Sequence, residues 1–248
     1  MNHPTPYPRC IFCGAKANSR EHAIPHWISK RLGVKDFLPA DTAFVGGRLQ
    51  RRKQPISFAS YRAHTLCRPC NKHFKHLEDD VIDLLVPMAR GRVVSLGYDS
   101  QALLALWASK TAATVIATTA PELREVMPMD HRRSIRVDGR PSEEIFVGYF
   151  PWRGSPIVSA GQGVLMRNMD PATRHEMYGA ILTFKQLGFY VLGFIDELRA
   201  GTTIDGNRPP MIQFWPNSQG LVHWPPEGPA VTNTNTRDLL AFVPLKRA

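Results

Sequence analysis

Cys10-Ile11-Phe12-Cys13, Arg20-Glu21-His22-Ala23-Ile24-Pro25 and Cys67-Arg68-Pro69-Cys70-Asn71 are the stretches on which the reading of this chain turns. Between them they use all four cysteines of the sequence. A CxxC turn lets both sulfurs reach one ion, and two such pairs supply the four thiolates of a tetrahedral zinc site. Such a site is closed. It contributes folding energy and does no chemistry of its own. The expected structural ligands are therefore Cys10, Cys13, Cys67 and Cys70, which would tie the start of the chain to a distant segment.

The enclosed Glu21-His22 pair and the adjacent Asn71 have the chemistry of a second, reactive centre. A neutral imidazole takes a proton from water near neutral pH. A carboxylate and an amide carbonyl are hard oxygen ligands suited to Mg²⁺ or Mn²⁺. The bland reading makes Glu21 and His22 surface residues and Asn71 a helix cap. Their position between two knuckles, on the most basic part of the chain, favours the reactive reading.

The charge is unevenly spread. Residues 1–78 hold 14 of the 31 Lys and Arg but only 4 of the 21 Asp and Glu, so the whole net charge of +10 lies there. Residues 79–248 balance to zero. A one-sided basic field attracts a polyanion, most simply nucleic acid, and DNA is the expected partner, with RNA as an alternative. Candidate phosphate contacts are Arg20, Lys30, Arg31, Arg48, Arg68, Lys72 and Lys75, with Arg51-Arg52-Lys53 as the sharpest cluster. Phosphate contacts give affinity and register without sequence information.

The opening Met1-Asn2-His3-Pro4-Thr5-Pro6-Tyr7-Pro8 has no apolar core of a signal peptide, and no run of 18 apolar residues is read as a membrane span. The expectation is a cytoplasmic protein with reduced thiols, which favours zinc over disulfides.

Periodicity predicts a short helix over 25–32, stopped by Gly33, then a hairpin or extended loop over 34–62. A helix is expected over 71–88 and a strongly apolar one over 100–120. Beyond Pro121, strands are expected at 145–150, 155–158, 163–166, 189–195 and 211–215, with a further helix at 171–187. The boundary between an N-terminal unit, 1–95, and a C-terminal one, 96–248, is placed between residues 90 and 100. The tryptophan and proline clusters Phe214-Trp215-Pro216 and His223-Trp224-Pro225-Pro226 are read as core packing, with base stacking as the alternative.

The order CxxC, Glu/Asp-His-x-x-Pro, CxxC followed at once by His or Asn resembles the zinc-containing HNH endonucleases, over residues 10–78. The resemblance implies that the N-terminal part is a ββα-metal module with a structural zinc; with the strands and helices read beyond residue 95, the expected fold class is α+β, the C-terminal part being a mixed α/β domain of unrecognised type. The resemblance also implies a hydrolase cutting DNA to 5′-phosphate and 3′-hydroxyl ends, with His22 as general base and a catalytic Mg²⁺ or Mn²⁺ on Glu21 and Asn71. Two departures stand out. The family has a middle Asn before the second CxxC, where this chain has His64 and Thr65 as substitutes. The connection between the halves is also long and basic. Glu78 is read as a helix-surface charge or a group supporting the site, with reaching the metal or orienting His22 as alternatives, His73 and His76 as facing phosphate or solvent, and His26 as structural or DNA-facing. A double-strand cut would call for a homodimer. The alternative function is a non-catalytic zinc-ribbon module that binds nucleic acid.

Overall fold

A computed structural model describes residues 8–39, 42–45, 48–50, 55–58, 60–119, 121–166, 174–195, 202–204, 211–216, 220–232 and 245–247. Arg51, Arg52 and Lys53 lie outside the described residues, and nothing of the Arg48 side chain is described.

The first knuckle opens the chain. Gly14 takes φ +72°, the left-handed conformation that lets the turn close, and its N–H donates to Cys10 O at 2.9 Å. Residues 21–23 run antiparallel to 61–63: Ala23 N–H donates to Tyr61 O at 2.9 Å, and Ala63 N–H to Glu21 O at 2.8 Å. His22 faces Arg62 across this bridge. Helix α1 (His26–Leu32) follows Pro25 and ends at Gly33 in the left-handed conformation. It buries Ile28 and Leu32.

Strands β1 (Asp36–Pro39), β2 (Thr42–Val45), β3 (Arg48–Gln50) and β4 (Ile56–Ser57) fill the stretch expected to be a hairpin or loop. β2 and β3 pair antiparallel, and so do β1 and β4. Helix α2 (Arg68–Ala89) buries a stripe of Phe74, Leu77, Val81, Leu85 and Met88. After β5 (Val94–Leu96), helix α3 (Tyr98–Thr119) is buried on nearly all sides. By length and composition α3 could cross a membrane, unlike any segment expected from the sequence, but 72% of its most apolar window is buried inside this fold. A short helix, α4 (Met129–Arg133), runs into a π turn over Ser134–Asp138.

The rest is strand: β6 (Ile145–Arg153), β7 (Ile157–Met166), β8 (Arg174–Phe184), β9 (Leu187–Phe194), β10 (Thr202–Ile204), β11 (Ile212–Trp215), β12 (Val222–Trp224), β13 (Val231–Thr232) and β14 (Leu245–Arg247). The main sheet has eight strands in the order β11-β6-β9-β8-β7-β1-β4, with β13 also on β6. It is mixed: β1 joins β7 and β13 joins β6 in parallel, and the other pairs are antiparallel. The protein is thus a mixed α+β fold.

Where a helix is expected over 171–187, the described residues form strand β8 (Arg174–Phe184) and the start of β9, residues 171–173 lying outside the described residues, and the two strands expected at 155–158 and 163–166 are one strand, β7. The reason is two-sided burial. Met177, Ile181 and Phe184 sit at i, i+4 and i+7, which mimics a helix face. In the structure Met177 and Ile181 belong to one apolar cluster and Phe184 to the other, as period-two alternation demands. Strand β9 does the same, with Phe189 and Val191 on one side and Tyr190, Leu192 and Phe194 on the other. Two glycines are set by this packing. Gly148 lies opposite Tyr190 and Gly193 opposite Tyr178, and a Cβ at either would collide with the facing ring.

One buried cluster runs from Phe12 and Ile28 through Trp107 to Phe184 and Trp224, so residues on both sides of 95 share a core. Trp107 is central to it. Its ring lies 6.3 Å from Trp27, 6.3 Å from Phe184 and 5.8 Å from Phe189. Trp215 and Trp224 are buried. Their indole N–H groups donate to Ser142 O and Met88 O, which fits the packing role and leaves no exposed face for stacking.

Candidate metal centre

The four cysteine sulfurs lie within 4.8 Å of one another. All four are free, and Cys13 and Cys67 stand 3.5 Å apart, too far for a bond of about 2.05 Å. A tetrahedral Zn²⁺ with Zn–S bonds of about 2.3 Å would hold its sulfurs nearly 4 Å apart, so the cluster fits the ion with little movement. Cys10, Cys67 and Cys70 are buried, and Cys13 is exposed.

The chemistry of the donors points the same way. Cys10 is pulled below the ordinary thiol range, chiefly by a hydrogen bond from Cys70. Cys70 is pushed up by that same bond to Cys10 and by burial, and Cys13 is pushed up by burial. Four sulfurs this close cannot all ionise without a cation between them. A Cys₄ zinc site carries a net charge of −2, and Arg136 on the π turn pulls the Cys70 pKa down against its bond to Cys10 and its burial. That arginine, remote in sequence, carried no signal in the motif.

Polar devices hold the two knuckles together. Ile11 N–H donates to Thr65 O at 2.9 Å, and Asn18 and Ser19 N–H both donate to Leu66 O at 3.1 Å. Asn18 Oδ1 accepts the Arg68 N–H at 3.0 Å, so the N-terminus of α2 is capped from the other knuckle rather than by Asn71. Arg124, just beyond α3, donates to Arg9 O and His64 O and clamps the two strands from outside.

Glu21 is 7% exposed. Its Oε1 accepts three hydrogen bonds: Thr65 N–H at 3.1 Å, Thr65 Oγ1 at 2.8 Å and Leu66 N–H at 2.9 Å. Its Oε2 accepts from the Ser19 hydroxyl. This carboxylate therefore braces the approach to the second knuckle. Thr65 is buried on Glu21, while His64 is exposed.

His22 is half-buried and stacks on His26, with ring centroids 5.1 Å apart and planes at 14°. Burial, then the neighbouring His26 and Arg62, hold its pKa below 6.5 against the opposing pull of Glu78 and Glu21. Its imidazole is neutral at neutral pH. Asn71 is exposed in the first turn of α2, and no hydrogen bond joins its side chain to Glu21 or His22. The structure therefore gathers the four cysteines tightly, engages Glu21 and His22 with different partners, and leaves the Asn71 side chain exposed.

Glu78 pairs with Lys110 Nζ at 2.6 Å. Lys110 sits on the apolar helix α3, 2% exposed, with Nζ also 5.8 Å from the Phe74 ring centroid. No local pattern signals this lysine's role, because its partner lies on another helix. His73 is exposed and has its pKa lowered by burial, then by Arg136 and His76. Arg20, Lys30, Arg31, Arg68, Lys72 and Lys75 are all exposed. Among the described residues the four cysteines are the single group of three or more His, Cys, Asp or Glu placed to hold a metal ion. Comparison with family models, curated proteins and solved structures returns no match.

Proposed function

We propose that this protein is a metal-dependent DNA endonuclease of the zinc-bearing HNH type. One observation carries the reading. Two antiparallel segments, 21–23 and 61–63, run into a helix at the cysteine cluster, and the first segment presents a His held neutral. Two bridged segments leading into a helix beside four cysteines support a reading as a β-β-α module, with zinc as the ion suited to four thiolates.

In this reading His22 takes the proton of the attacking water, and its lowered pKa keeps the lone pair available near pH 7. Stacking on His26 fixes the plane of the ring. Mg²⁺ or Mn²⁺ would supply positive charge for the phosphate and the leaving oxygen. The residues present fit such an ion only in part. Glu21 Oε1 is filled by three donors, which leaves Oε2 and the exposed Asn71 amide as its oxygens. Exposed Arg20, Arg68, Lys72 and Lys75 supply sequence-independent phosphate contacts around the knuckles.

The commitment of Glu21 to Thr65 and Leu66 also favours a second reading, a zinc-ribbon module that binds nucleic acid without cutting it. Plasmid cleavage separates the two. Wild-type protein and His22→Ala are incubated with supercoiled DNA in Mg²⁺, Mn²⁺ or EDTA. The nuclease cuts with metal, fails in EDTA and is silent in His22→Ala, while both proteins keep zinc and DNA affinity. Nicked product indicates a monomer, and linear product indicates two sites acting together. If neither protein cuts and both bind DNA with a steep salt dependence, the binding module is the correct reading.

A further inference from the structure

A cleft of about 840 Å³ lies where four remote parts of the chain meet: the end of α2, the β6–β7 turn, the β8–β9 turn and the loop after β12. Its charged lining side chains are Arg90, Arg153 and Lys185, and no carboxylate lines it. All three cations are exposed, and none forms an ion pair among the described residues. The sheet region has balanced charge overall, so three cations lining one opening, against the single acid Glu227 in the loop beside it, concentrate positive potential there.

The walls of the cleft are fastened to one another. Gln186 N–H donates to Ala89 O at 3.1 Å, and Trp152 N–H donates to Gln186 O at 2.8 Å. Trp224 Nε1–H donates to Met88 O at 2.8 Å. Gly91 takes φ +71°, and its missing Cβ is the space that the Gln186 side chain occupies. Trp152 and Trp224 are 1% exposed, so the opening offers charge on a rigid frame rather than rings for stacking. That combination suits a phosphate backbone and not bases.

The cleft also has a direction. Arg90 donates from Nη2 to Arg31 O at 2.9 Å, which joins the rim to the last turn of α1. The first residue of α1 is His26, which stacks on His22. Seven helical residues span about 10 Å, and a nucleic-acid strand carries one phosphate per about 3.4 Å of helix axis. The cleft therefore begins about three nucleotides from His22, with exposed Lys30 and Arg31 between.

We propose that this cleft grips the phosphate backbone of a nucleic-acid strand that runs along α1 from His22, so that the sheet region supplies part of the grip on the substrate. The direction of the strand rests on the nuclease reading, and the binding does not. The test uses full-length protein carrying Arg90→Gln, Arg153→Gln and Lys185→Gln together, beside wild type. Affinity for a fluorescent 20-nucleotide strand and its duplex is read by anisotropy without divalent metal between 50 and 200 mM salt. The triple variant is expected to bind at least tenfold more weakly at low salt, whatever the sequence. Its slope of log affinity against log salt should be shallower by about 2 to 3, the loss of three phosphate contacts at 0.7–0.9 each. A triple variant of unchanged thermal stability that binds with wild-type affinity and slope overturns the proposal, even if the plasmid is cut. If wild type cuts nothing but the triple variant loses binding, the cleft stands and the nuclease reading falls.

Discussion

The knuckle region and the eight-stranded sheet reach order by opposite means. The first is basic and built from short segments joined by individual polar contacts: a Glu21 carboxylate shared by three donors, an Asn18 cap lent across knuckles, an Arg124 clamp and four converging sulfurs. The second is balanced in charge and buries both of its faces, with Tyr178, Leu182 and Phe189 under α3 and Ile181, Tyr190 and Phe194 on the far side. A region held by a few directed bonds fails when one partner is lost. A region held by many apolar contacts weakens in proportion to the area removed. The two meet at α3, where Trp107 touches both.

The sharpest way to separate them is to take away the metal site. Structural zinc in small Cys-rich modules is worth about 10–16 kcal/mol of apparent binding energy near neutral pH. Chelation, or Cys67→Ser, should therefore abolish hydrogen-exchange protection in 9–23 and 61–72 and leave that of 145–153 and 177–194 largely intact. Simultaneous loss in the sheet would show that the regions form one cooperative unit and would break the contrast. Trp107→Ala attacks the junction instead and should cost about 3–5 kcal/mol. Zinc release and near-UV dichroism, followed through one urea titration, should shift together. A shift confined to one probe would show that Trp107 serves only one side.

A smaller effect is expected at the ion pair. Glu78→Gln leaves the Lys110 ammonium, 2% exposed, without its partner, a loss on the order of 3 kcal/mol. Glu78→Leu with Lys110→Met should recover most of it, measured as urea midpoints. A single variant as stable as wild type would mean that Lys110 reaches water. The smallest effect is the acid response of the sheet side. His131 is buried, its Nδ1 lies 2.7 Å from Tyr178 Oη, and its Nε2 lies 3.8 Å from Glu144. Burial lowers its pKa below 6.5, against the pull of Glu144 and Asp130. A depressed folded pKa means that the unfolded chain takes up the proton first. Stability from this group is full above pH 6.5 and falls as pH drops through the lowered value. His131→Asn should flatten that part of the stability profile. An unchanged profile would assign it to other groups, among them His22 and His73, whose pKa values are also lowered.

The sequence made these regions legible to different degrees, for physical reasons. Metal ligation imposes a spacing, so Cys10, Cys13, Cys67 and Cys70 could be read before any element was placed. One-sided burial imposes a period, so α2 was expected at 71–88 and is found at Arg68–Ala89, extended at its start by the cap from Asn18. Two-sided burial erases the contrast between polar and apolar positions, and that is why β8 reads as a helix. Partners distant in sequence leave no pattern at all. The contacts of Thr65 with Glu21, Lys110 with Glu78, and Arg136 with Cys70 each join residues that no local rule connects. The basic cleft is of the same kind, since Arg90, Arg153 and Lys185 become neighbours only once the turns are fastened together.

Lys110 has one more consequence, which concerns the birth of the chain rather than its finished state. As α3 leaves the ribosome, its partners β6–β9 have not been made, and the nascent helix offers the translocation machinery a segment of spanning length. A lysine near the middle of such a segment adds roughly 2.5–3.5 kcal/mol to the cost of entering a bilayer. The acid that neutralises it, Glu78, is already synthesised on α2, so the charge that deters insertion becomes acceptable as soon as the two helices meet. One side chain thus raises the cost of entering lipid and also joins the helix pair.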